Sequence, residues 1–206
     1  MQNKVSHISL RNLVISLAIV AGLLVVVSLY AEPVLRISVV PDEPPFVVNR
    51  KMRLLTAYLE QKVGMKVEFR PMRSGEALVE SLLFKELDLV WIDGARLERA
   101  RSLSNYGVTP IVGRAEDQRD SMVSVGAAPD RAYSWTVRAG IDPELRQKLA
   151  ETFLTMHTDG GKGMEILGYQ HTSRFVPVRS GDGRVDGVRL DGAVTERMVQ
   201  RRTLLR

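Results

Sequence analysis

Three loops carry residues whose types and spacing suit the capture of an anion. Ser74 stands before Gly75, and Asp93 with Gly94 stands before Ala95, each where helical spacing begins. A Ser or Asp in that position accepts a hydrogen bond from a first-turn backbone N–H, and the other free N–H groups attract oxyanions. Arg73 adds a guanidinium able to grip two oxygens of a phosphate-like group. Asp42, in the loop at 41–49, and Trp91, near the end of an apolar run, complete the set; an indole there stacks on a ligand or closes the core. The same residues suit plainer roles, Ser74 and Asp93 as ordinary helix caps and Arg73 as a solvated loop charge. Asp93 itself repels any anion placed directly above its helix.

Nothing comparable supports bond-making chemistry. His7, His157 and His171 are scattered without zinc-type spacing, and Gly160 to Gly163 lacks the spacing of a phosphate-binding loop. Asp182, Asp186 and Asp191 suggest calcium only superficially, because Arg184 interrupts the ligand alternation. No nucleophile has a visible base, so the expectation is a binding protein without catalysis, metal or cofactor. The 206 residues include no cysteine, which removes disulfides and thiolate sites together. A net charge of +5 is too diffuse, and 6% aromatic content too low, to indicate nucleic acid.

Strands and helices alternate in the stretch that must position these loops. Residues 36–40 form a β-branched run that stops at Pro41; Met52, Leu55, Leu59 and Val63 then recur at helical steps within 50–63, and Gly64 stops them. Alternation returns at 66–70, helical spacing at Leu78, Val79, Leu82 and Leu83, and a nearly all-apolar strand at 87–92. A helix over 95–104 and a strand over 108–112 follow. Such repetition predicts parallel βαβ units in a doubly wound sheet, whose binding crevice lies beyond the carboxyl ends of the strands. Strands are then expected at 121–125 and 133–137, and a helix begins at Asp142 and Pro143, with Leu145, Leu149, Phe153 and Met156 on its apolar face and Gly160-Gly161 ending it.

The ends differ in character. Residues 13–31 form an uncharged run of 19, preceded by Lys4 and Arg11, as in an export signal or a membrane anchor. The expected organisation is a signal peptide or anchoring hydrophobic helix at 1–31, an α/β lobe at 32–179, and a Gly/Arg-rich, partly helical tail at 180–206.

The order of these segments resembles the phosphate/phosphonate-type periplasmic substrate-binding proteins of ABC transporters. The carrying stretches are LRISVVPDE at 35–43, LTAYLE at 55–60, GMKVEF at 64–69 and LDLVW at 87–91, then WTVR at 135–138, DPELRQKL at 142–149 and RFVP at 174–177. The resemblance implies a type II binding-protein fold, an oxyanion ligand, an ABC permease partner and a periplasmic location. Two departures stand out. The loop after the second strand reads MRSG at 72–75, where the family has a Thr-Asp-Tyr-like stretch. Only seven residues, 126–132, separate the strands between which the second lobe belongs, so a single lobe is expected.

Overall fold

The computed structural model describes residue 16 and residues 33–105, 107–117 and 132–178. The chain divides into units at 1–33 and 34–206, and every element below belongs to the second. The apolar run at 13–31, except residue 16, the strand expected at 121–125 and the tail at 180–206 fall outside the described residues. Among the described residues no helix is long and apolar enough to cross a membrane.

Local signals set most of the elements. β1 (Val34–Val39) ends ahead of Pro41, and α1 (Pro45–Val63) closes at Gly64, whose φ of 76° is the left-handed conformation that favours glycine. The helix starts five residues before the expected position 50. Pro45 is the reason, since its fixed φ and missing N–H suit a first helical position as well as they suit a loop. β2 (Lys66–Phe69), α2 (Gly75–Leu83), β3 (Leu89–Asp93), α3 (Gly94–Leu103) and β4 (Thr109–Arg114) follow in the expected sequence.

The second half departs further. β5 (Tyr133–Val137) and α4 (Pro143–Thr155) are as expected, but a 3-10 turn at Met156–Thr158 leads into α5 (Gly161–Tyr169) and then β6 (Phe175–Pro177). Gly160 therefore precedes a second helix, with a backbone φ of 71°, instead of opening a loop.

The six strands form one sheet in the order β2-β1-β3-β5-β4-β6. β1 pairs in parallel with β2 and β3, whereas β5 runs antiparallel between β3 and β4, placing Trp135 opposite Trp91 and Tyr133 opposite Asp93. The doubly wound lobe is thus a mixed sheet, because a strand distant in sequence enters where consecutive βαβ units would have set β4. Pro110, which has no N–H for the ladder, marks an irregularity in the β4–β5 register.

Helices cover both faces. Leu35, Ile37, Leu89, Trp135, Leu149 and Phe153 belong to the core shared by the sheet, α1, α4 and α5. Leu78, Leu82, Val90, Ile92 and Leu97 form a smaller core under α2 and α3. The alternation along β3 divides its side chains between the two, which is why its whole run is apolar. At the amino end of this strand, buried Asp88 accepts from the backbone N–H of Arg36 at 2.9 Å, its Nε at 3.0 Å, and Nε of Arg138 at 2.7 Å.

Candidate functional site

β1 and β3 both run toward the edge where α1 and α3 begin, and β4 ends near the start of β5. At this edge lies a crevice of about 100 Å³ bounded by Val39, Asp42, Trp91, Arg114 and Tyr133, with Lys51 of α1 and His171 after α5. Trp91 and Tyr133 stack at 5.6 Å between ring centroids, and the Arg114 guanidinium lies 5.3 Å from the Tyr133 ring and 6.0 Å from that of Trp91. Cation–π attraction holds the guanidinium over this ladder. Asp117 accepts from Nε of Arg114 at 2.9 Å and from the backbone N–H of Tyr133 at 3.1 Å, tying β4 to β5 beneath the crevice.

The opposite wall carries the other charges. Lys51 Nζ donates to both oxygens of Glu43, at 2.5 and 2.6 Å. The Tyr133 hydroxyl donates to Asp42 at 3.2 Å. Burial, followed by the neighbouring Asp42 charge and this hydrogen bond, pushes the Tyr133 phenol above its ordinary range, so it stays protonated as a donor.

The sequence-predicted residues divide into two groups. Asp42 and Trp91 line the crevice. Ser74, Asp93 and Gly94 lie at the starts of α2 and α3, where Ser74 Oγ accepts from the Ala77 N–H at 3.1 Å and Asp93 from the Arg96 N–H at 3.0 Å. Both capping roles expected from the sequence are therefore made. Arg73 is exposed, and its side chain has no partner among the described residues.

A different guanidinium covers the start of α2. Arg96 forms an ion pair with Asp93, and its Nε lies only 2.0 Å from where a Cβ on Gly75 would stand. A side chain at 75 would push this guanidinium aside, so the approach depends on glycine while the backbone does not. The Arg96 Nε is buried without a partner among the described residues. The bond to Asp93 raises the Arg96 pKa further, so the group is permanently charged.

Sequence reasoning missed Lys51, Arg114, Tyr133 and His171. Tyr133 alone carried a local signal, as the first residue of a recognisable strand; the others acquire meaning from elements brought together across the sheet. His171 has a φ of 53°, an uncommon conformation for a residue other than glycine, at the turn that closes α5 against the crevice.

No curated protein matches the sequence. Residues 37–132 match the model of a family described as the phosphonate periplasmic substrate-binding protein of ABC transporters. Among solved structures, a Prochlorococcus marinus protein in complex with methylphosphonate superposes with a TM-score of 0.62 at 12% identity, over 73% of this chain and 94% of its own. A binding-protein component of an ABC phosphonate transporter from Pseudomonas aeruginosa gives 0.57 at 8% identity, over 70% and 81% respectively. A Xanthomonas citri protein bound to chloride ion gives 0.53 at 12% identity, over 73% and 93%. At such identities these likenesses establish the fold. Over 37–132 the chain is thus similar to the phosphonate-type periplasmic substrate-binding proteins of ABC transporters, and it shares an α/β fold with the solved structures above.

Proposed function

We propose that the protein is the solute-binding component of an ABC-type uptake system for a phosphonate, phosphate or a related small oxyanion. It would act outside the cytoplasmic membrane and deliver its ligand to an ABC permease. The observation that carries this reading is the crevice at the carboxyl ends of the strands, where Asp42 and Trp91 meet a guanidinium held over aromatic rings. Its volume of about 100 Å³ lies well below the ~300–1,000 Å³ of sites for drug-sized molecules and suits a small acid. Ser74, Asp93 and Gly94, with Arg73 in the adjoining loop, supply a second polar margin at the helix starts, where Arg96 adds positive charge.

A single lobe leaves its ligand facing water, where screened contacts are worth about 0–1 kcal/mol each. The expected dissociation constant therefore falls between about 1 μM and 1 mM. Titration calorimetry of the full chain with methylphosphonate and inorganic phosphate tests this; absence of heat and of any thermal shift with both ligands removes the reading.

A second reading has its own support. Only 15 residues, 118–132, connect Asp117 to Tyr133, too few for a second α/β lobe between β4 and β5. A membrane-tethered single-lobe module for sensing or interaction, without transport, suits that connection and the apolar run at 13–31. An amino terminus near Glu32 on the protein isolated from cells would deprive it of its tether.

A further inference from the structure

We infer that Arg114 is the residue that grips the acid group of the ligand, an assignment that rests on the oxyanion-binding reading above. Two basic side chains of the Lys/Arg type line the crevice, and they differ in what they have left to offer. Lys51 is matched by Glu43, whose two carboxylate oxygens both accept from Nζ. Arg114 is held through Nε alone, by Asp117, and neither Nη has a partner among the described residues. Its guanidinium carbon lies over the Tyr133 and Trp91 rings at 5.3 and 6.0 Å, which restricts its swing. Asp117 is itself fixed by the Tyr133 backbone N–H. The result is a preoriented fork with both Nη groups unspent, a geometry that matches two oxygens of one tetrahedral anion.

That arrangement explains why an arginine should be needed. A lysine at 114 would keep the positive charge but lose the second donor and the planar group that lies over the aromatic ladder. The specificity falls on acids that present two oxygens side by side, and Asp42 across the crevice disfavours a second negative group at the ligand's other end.

The test is a titration of the full chain with methylphosphonate, and in a second arm with inorganic phosphate, followed by heat and by tryptophan fluorescence. Arg114→Lys is expected to weaken binding of both anions about 10-fold and Arg114→Gln about 30-fold or more, consistent with losing charge-assisted hydrogen bonds. Arg99→Gln, an exposed charge on α3 outside the crevice, is expected to leave affinity unchanged. Circular dichroism checks folding, and Arg114→Lys keeps the test decisive if Arg114→Gln does not fold. A wild-type protein that binds neither anion overturns the oxyanion reading itself. A wild-type protein that binds, beside an Arg114→Lys variant within about 2-fold of it, overturns the assignment of Arg114 alone.

Discussion

Two arginine–aspartate clusters sit at opposite ends of the strands of the same sheet, one gathered around a shared buried carboxylate and the other lining the crevice proposed to bind the ligand. At the amino end of β3, Asp88 is 5% exposed and accepts hydrogen bonds from Arg36 and Arg138, while Arg36 Nη2 also donates to the Lys85 carbonyl at 2.8 Å. At the other end, Asp117 accepts from Arg114 Nε, and neither Nη of that guanidinium has a partner among the described residues. The residue types are alike. What differs is where the spare donors lie: Asp88 takes the Nε groups of two arginines at the amino end of β3, whereas Arg114, whose Nη groups have no partner among the described residues, lines the crevice.

The largest effect is expected at the amino end of β3. Asp88→Ala leaves two guanidinium groups facing a partly buried gap, and is expected to cost about 3–5 kcal/mol of stability. Urea denaturation checks it; a loss under about 1 kcal/mol would mean that the cluster does not clasp β1 to the strands beside it. Any folded fraction should bind anions as the wild type does, since the change lies at the far end of the strands.

A smaller effect is expected at the crevice. Asp117→Asn keeps the shape but weakens the tie to Nε of Arg114 and to the Tyr133 N–H. Affinity for methylphosphonate should fall about 10-fold, equivalent to about 1.4 kcal/mol. The urea midpoint should move much less than for Asp88→Ala. A large loss of stability with unchanged affinity would reverse the roles assigned to the two clusters.

The least of the three effects concerns acid. Burial alone would raise the Glu116 pKa, but hydrogen bonds from Thr172 and Ser173 outweigh it and hold the carboxyl at about 2. The folded value lies below the unfolded one, so this contribution is fully present above the ordinary carboxylate range near pH 4.5. It is lost as pH falls from there through about 2. Asp88 behaves in the same direction, since its arginine hydrogen bonds overcome the burial that opposes them. Glu116→Gln should therefore flatten part of the acid limb of a plot of Tm against pH, and an unaltered limb would show that Glu116 does not clasp 172–173 in solution.

The sequence disclosed what depends on neighbours in the chain. Ser74, Asp93 and Asp142 each accept from the N–H three residues on, an interaction determined by local geometry and legible from residue type and spacing. The apolar run in β3 likewise revealed a strand covered on both faces. Proline gave two meanings at once: Pro45 begins α1, although Pro44-Pro45 also reads as a loop. The insertion of β5 between β3 and β4 was hidden because antiparallel pairing across so long a separation leaves no periodic trace.

The candidate site was half legible for the same reason. Asp42 and Trp91 lie close to the strand ends where a sheet of this kind binds ligands, and sequence order alone points to them. Arg114 comes to the crevice only through the β4–β5 pairing, beside the Trp91–Tyr133 stack, and nothing near it in the chain marks it for the part proposed above. Arg96 was displaced from view by Arg73: the latter adjoins the helix start in sequence, but the former reaches it through space because Gly75 has no side chain.

A crystal structure of the full chain with methylphosphonate would show whether Arg114 grips the acid group. The phosphonate group is expected between Trp91, Tyr133 and Arg114, with two of its oxygens about 2.7–2.9 Å from the Arg114 Nη atoms. A ligand bound elsewhere, or a crevice left empty at saturating ligand, would contradict it.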